Sequence, residues 1–395
     1  MTKIAYDKLD NAFYERGAVS GLDELIADLQ GDSDHHALFR SLLLRKRFEL
    51  GLPLVNAGDL SGVPDETRKA YETFVEHTCR EIGARCLDVK WGTPSIAQAW
   101  RYFRTLGEKK PIQDALDKIE PANATDDDMN IAIEQGVHPR RGFQIILERD
   151  GLCRAISLYD DEYSTNLADK KFAASMLVKQ LYKDLVNAVS RLILERFGEL
   201  PPETDLVDLI RHRPWLFENS QTHADPQHIA AISRIGLITE SNEDLIMTLS
   251  IAEFGRMLDP RHKPSGRAPF EAGFNDYALY ARALLGQNVA TTVEHFRARL
   301  SIYDATNSNY PAEMVVMLLW RTGQKSEALH VWQHYLSQEP PEIAGIVIPS
   351  FYDLCIEAGE FGKLADTARS QGDMAAWAAA RVMTVQANKT QPAPS

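Results

Sequence analysis

The sequence predicts an all-α protein in which helical-hairpin repeats at the carboxyl end form an α-solenoid, joined to a larger helical N-terminal region. Three observations carry this expectation. Apolar residues recur at the three-and-four spacing of a helix face along most of the chain. Prolines and acids open these stretches and glycines close them. Near the carboxyl end Gly286, Gly323 and Gly359 recur at intervals of about 36 residues, inside the range of stacked-repeat architectures.

In chain order, SGLDELIADLQ places Leu22, Leu25, Ile26 and Leu29 on one face, with Ser20 or Gly21 as cap. DHHALFRSLLLRKRFELG continues the pattern, with Ala37, Leu38, Leu42 and Phe48 inward and Gly51 at its end. Its basic residues come late, where the helix dipole favours them. PDETRKAYETFVEHTCREIG opens on Pro64 and stops near Gly83, and TPSIAQAWRYFRTLG takes Thr93 as cap with Pro94 behind it. The stretch from Asn166 to Gly198 keeps helical period for about eight turns. HPRRGFQIILERDGLCRAISLYDD reads as two helices bounded by Pro139 and Gly151. The alternative is a β-hairpin near 143–159, because Asp150-Gly151 is also a tight strand turn and Phe143, Ile145 and Leu147 share a strand face.

Breaks in composition divide the chain into a helical region at 1–260, a connector at 261–274 containing Pro, Gly and basic residues, repeats at 275–385 and a polar, disordered tail at 386–395. Each repeat has an apolar helix before its glycine: Ala278, Leu279 and Ala283, then Val315, Val316, Leu319 and Trp320, then Phe351, Tyr352, Cys355 and Ile356. After the turn come close-contact residues, Ala290 and Thr291, Ala328 and Leu329, and Leu364 and Ala365, with Phe296 and Trp332 filling the groove to the neighbour. Gly323, Ala328, Trp332 and Pro340 stand at the mutual spacings of a tetratricopeptide repeat, which this unit resembles. The resemblance covers about residues 275–385. It departs from the family where Val315 and Val316 replace leucine and glycine, and in the flanking units where Thr291 and Leu364 take the small-residue position and the closing proline is missing.

The 395 residues comprise 44% hydrophobic and 25% charged residues, enough apolar material for a large core. Lys plus Arg number 43 against 56 Asp plus Glu, so the formal charge of −13 sets up a field that repels polyanions and argues against nucleic acid as a partner. The basic clusters at Arg45 to Arg47, at Arg140 and Arg141, and at Arg261 to Lys263 read as solvated helix faces or loops. Cys79, Cys86, Cys153 and Cys355 form no C-x-x-C pair and read as buried free thiols. No uncharged apolar run approaches the ~20 residues of a membrane span, and the start lacks a basic region followed by an apolar core, so a cytoplasmic location is expected.

The expected function is a non-catalytic scaffold or adaptor that binds a partner protein in a groove lined by first-helix residues, with Tyr277, Tyr280, Arg282, Arg321 and Tyr352 as candidates. No cofactor is expected, and apolar solenoid ends allow a homo-oligomer. The alternative is a metal-dependent enzyme using His212, His223 and His228, although Asp225 between them reads more simply as the cap of a helix beginning at Pro226. The acids Asp126 to Asp128 and Asp160 to Glu162 read as helix N-terminal residues answering the dipole rather than as magnesium ligands. Gly362-Lys363 lacks the spacer and hydroxyl of a phosphate loop.

Overall fold

The computed structural model describes residues 6–55, 60, 62–161, 163, 166–220, 225–303, 309–336 and 348–390. Among the described residues all regular structure is helical, and no strand occurs. The chain forms two compact units, Met1–Arg149 and Asp150–Ser395.

In the first unit lie α1 (Tyr6–Arg16), α2 (Ala18–Gln30), α3 (His35–Glu49), α4 (Asp65–Cys86), α5 (Ile96–Leu106), α6 (Lys110–Lys118), α7 (Asp126–Met129) and the start of α8 (Pro139–Asp160). Each of α2 to α5 packs on its predecessor. Ile82, Ala99, Trp100, Phe103, Ile112 and Leu116 form the centre of an apolar core. Gly83 lies within α4 and does not end it, because a Cβ there would stand 2.7 Å from the Phe103 ring of α5. Two further starts differ from expectation. α2 begins after Gly17, which leaves Ser20 inside the helix, and α5 is capped by Ser95, whose hydroxyl accepts from Gln98 N at 3.2 Å, in place of Thr93.

The basic clusters are not uniformly solvated. In α3, Phe48 faces outward and Arg47 is buried, donating to Tyr71 Oη and Pro53 O at 2.7 Å each, with its guanidinium 4.7 Å from the Tyr71 ring centre. Arg141 donates to Ile119 O at 2.7 Å and Leu116 O at 3.2 Å, satisfying carbonyls at the end of α6. Cys153 is exposed, whereas Cys79, Cys86 and Cys355 are buried.

The segment that also read as a β-hairpin is helical. α8 bends at Gly151 (φ 82, ψ −178), and Phe143 and Ile145 are both fully buried. Helical turns, not strands, form on both sides of Asp150-Gly151 because both apolar runs extend far enough to continue a helical face.

The second unit continues with α9 (Leu167–Phe197), α10 (Leu206–Arg211), α11 (Pro226–Ile235) and α12 (Asn242–Met257). The α9 helix spans the predicted stretch, with Asn166 Oδ1 accepting from Ala168 N at 2.9 Å and Gly198 closing it in the left-handed region. Three hairpins follow: α13 (Phe274–Leu284) with α14 (Val289–Tyr303), α15 (Tyr310–Arg321) with α16 (Lys325–Tyr335), and α17 (Phe351–Ala358) with α18 (Phe361–Gln371). The last helix is α19 (Met374–Thr390). Residues 386–390 of the expected tail therefore belong to α19, and 391–395 lie outside the described residues. The 261–274 segment lies within the second unit.

The three predicted glycines close the first helix of each hairpin by one repeated geometry. Their φ angles are 82, 83 and 70°, and the next residue's N–H returns to the carbonyl five positions back: Gln287 to Arg282 at 2.8 Å, Gln324 to Leu319 at 2.8 Å, Glu360 to Cys355 at 2.9 Å. Ala328 and Leu329, and Leu364 and Ala365, are buried at the helix contacts as expected. In the first hairpin the buried pair is Thr292 and Val293 instead of Ala290 and Thr291; Asn288 adds a second left-handed residue (φ 52), so α14 starts one position later after its glycine than α16 and α18 do, which accounts for one of the two positions. Successive hairpins touch through Tyr280 Oη, which donates to Met314 O at 2.8 Å, through Trp320 Nε1, which donates to Glu357 Oε2 at 2.9 Å, and through the Trp332 and Phe351 rings, 4.8 Å apart. Pro340 lies outside the described residues.

Candidate functional site

The second unit holds a cavity of about 990 Å³, walled by Asp160 at the end of α8, one face of α11, the 264–270 loop, the start of α13, and Tyr310 at the start of α15. The helix α11 is fixed at its start by Asp225, whose carboxylate accepts from Gln227 N at 2.8 Å. It buries Ile229, Ile232 and Ile235 on one face and turns Gln227, Ala230, Ala231 and Arg234 to the cavity. The two alanines leave the room that longer side chains would take.

The loop that forms the opposite wall is held from behind. Phe270 is buried, its ring centre 4.9 Å from that of Tyr277, 5.7 Å from Tyr280 and 5.5 Å from Phe296. Asp276, in the first turn of α13, is buried and accepts from Ala272 N at 2.8 Å, from Arg299 Nη1 at 2.9 Å and from His295 Nε2 at 2.9 Å. Arg299 also donates to Pro269 O and to Glu271 Oε2, each at 2.9 Å. A buried carboxylate stands such burial only when its oxygens are satisfied, and here they are. Gly266 fits because the loop folds onto itself: a Cβ there would stand 2.1 Å from Phe270 O and 2.4 Å from Glu271 O.

Three charged side chains line the cavity, Asp160, Arg234 and Arg267. Arg234 Nη2 donates to Asp160 Oδ1 at 2.6 Å. Burial works against the guanidinium charge, but the carboxylate of Asp160 opposes it, and Arg234 lies above its ordinary range. The Asp160 carboxylate thus belongs to an ion pair at a helix C-terminal end, not to a helix N-terminus as the sequence suggested. Asp126 to Asp128 do open a helix, and Thr125 and Asp128 form a reciprocal capping box there. Arg267 is exposed and makes no ion pair among the described residues. The Tyr310 hydroxyl is buried without a hydrogen-bond partner among the described residues. Burial raises the pKa of Tyr277 and of Tyr310, so both remain neutral donors at ordinary pH.

The chain matches no protein-family model, no curated protein and no solved structure.

Of the five groove candidates, Tyr277 lines the cavity. Tyr280 lies behind it, fully buried. Arg282 pairs with Glu253 of α12, and Arg321 clamps two backbone carbonyls, Leu237 O at 2.7 Å and Thr239 O at 2.6 Å. Tyr352 donates to Gln371 Oε1 at 3.0 Å between α17 and α18. The five are not gathered on one surface patch around the cavity. Of the histidines, His212 is exposed at the end of α10, His228 stands 3.6 Å from Asp225, and His223 lies outside the described residues. Among the described residues no three His, Cys, Asp or Glu side chains converge on a point.

Sequence reasoning missed Arg234, Arg267 and Tyr310. The available signal was the stretch PSGRAPFEAGF, whose two phenylalanines among small residues mark a loop that packs.

Proposed function

We propose that the protein is a non-catalytic interaction scaffold whose second unit seats a segment of a partner protein in the cavity. The observation that carries this reading is that α13 and α15, the first helices of consecutive hairpins, contribute Tyr277 and Tyr310 to the same cavity. First helices line the concave side of stacked helical hairpins, where extended or helical segments dock. The tetratricopeptide-like spacing around Gly323 and the repeated glycine closure support the same reading. Two polar features of the wall are suited to holding a ligand: the Arg234–Asp160 ion pair and the Arg267 guanidinium, which is unpaired among the described residues.

The test uses a photo-activated cross-linking side chain placed at Ser265, an exposed wall residue, in the full chain, with the same group at exposed Tyr14 as control. A discrete protein adduct from position 265, absent from position 14 and abolished by Ala231→Trp, is the expected result. Adducts that form equally at both positions, or that survive filling of the cavity, would overturn the proposal.

A further inference from the structure

We infer that the cavity recognises an acidic peptide segment, in which a carboxylate-bearing residue is flanked by an aromatic or large apolar one. This rests on the cavity being the seat of the partner.

The charge of the wall is the first argument. With Arg234 and Arg267 against Asp160, the lining carries one net positive charge in a chain whose formal charge is −13. Arg267 has no ion-pair partner among the described residues, and Arg234 spends one of its donors on Asp160. A planar guanidinium in a partly enclosed site favours a carboxylate, which it can meet with two parallel hydrogen bonds.

Shape and polarity supply the second argument. Phe274, Tyr277 and Tyr310 present aromatic surface beside these donors, which suits an aromatic or large apolar neighbour to the acid. At about 990 Å³ the cavity lies at the upper end of the range of about 300–1,000 Å³ for small-molecule sites, which favours a stretch of several residues over a single small acid. The strongly negative whole disfavours a polyanion, so the recognised charge is local and low.

The experiment titrates the full chain by calorimetry with three probes: acetyl-Phe-Glu-Phe-Glu-amide, its glutamine counterpart acetyl-Phe-Gln-Phe-Gln-amide, and benzoate. The acidic peptide is expected to bind, with the glutamine peptide and benzoate roughly tenfold or more weaker, the scale of a charge-assisted hydrogen bond. Arg267→Gln, at an exposed side chain that makes no ion pair among the described residues, should weaken the acidic peptide by a similar factor with an unchanged thermal transition. Arg234→Gln should do so too, but only Arg267→Gln is needed if Arg234→Gln does not fold. Equal binding of both peptides would overturn the inference, as would binding untouched by Arg267→Gln, or benzoate matching the acidic peptide. If cross-linking of a partner from position 265 succeeds but the acidic peptide fails to compete with it, the peptide class is wrong and the seat stands. If cross-linking itself fails, both fall.

Discussion

Glu313, one turn beyond Tyr310 on α15, is 1% exposed, and neither of its carboxyl oxygens has a hydrogen-bond partner among the described residues. Burial pushes its pKa up to about 8. In the unfolded chain the group ionises near pH 4.5. Below that value it is protonated in both states. Between about 4.5 and about 8 the folded state keeps a proton that the unfolded state releases, so stability falls as pH rises, and the loss is complete above about 8. Glu313→Gln should flatten that slope and stabilise the protein at pH 7 by up to about 3 kcal/mol, from about 1.4 kcal/mol per pKa unit. Urea unfolding at pH 5, 7 and 9 measures it, and an unchanged slope would show that Glu313 is ionised at little cost in the fold. The neighbouring basic and aromatic residues show why single positions were hard to read in the sequence. Arg321 sits on an exposed-looking stretch of pattern, yet its guanidinium satisfies the carbonyls of Leu237 and Thr239, which belong to a segment more than eighty positions earlier. No local spacing signals such a pairing.

At the scale of the element, the hairpin turns are the part of the fold most fully written into the sequence. A glycine that ends a helix has to adopt a left-handed backbone locally, so the requirement appears in the residue itself. At Gly323 a Cβ would meet nothing within 4 Å, so substitution there incurs a backbone cost without a clash. Gly323→Ala should therefore destabilise the protein by about 1 kcal/mol, and Gly323→Asn by less, since asparagine tolerates this region better. Chemical denaturation of the two variants tests the order, and an alanine variant as stable as the parent would mean that the turn relaxes to another geometry. What the glycine spacing did not convey was the register of the following helix. Asn288 lengthens the first turn by one position, and the buried pair stands at Thr292 and Val293, a choice set by packing across the hairpin.

Across the whole molecule, the helical class was legible because amphipathic periodicity reports which face each segment buries. The division into units was not. Composition marked 261–274 as a connector, but Phe270 and Asp276 pack that stretch into the second unit, and the boundary between units falls inside α8. Pro, Gly and basic residues describe a backbone that leaves regular helix; they do not say whether it packs. The cavity was illegible for a related reason, since its walls draw on residues from Asp160 to Tyr310. Net charge, by contrast, is a property of the sum and reads directly from sequence. At −13 the chain should pass unretained through a heparin column at about 50 mM salt, where the Debye length exceeds 10 Å. Retention would reveal a basic face that the total conceals.

The arrangement behind the 264–273 loop has a bearing on which of its positions tolerate change. Asp276, His295 and Arg299 brace the loop's backbone from the side away from the cavity, while Ser265 and Arg267 display their side chains on the wall. Bracing and display reside in different amino acids. Exchanging the displayed pair is therefore expected to leave the brace, and with it the shape of the loop, intact.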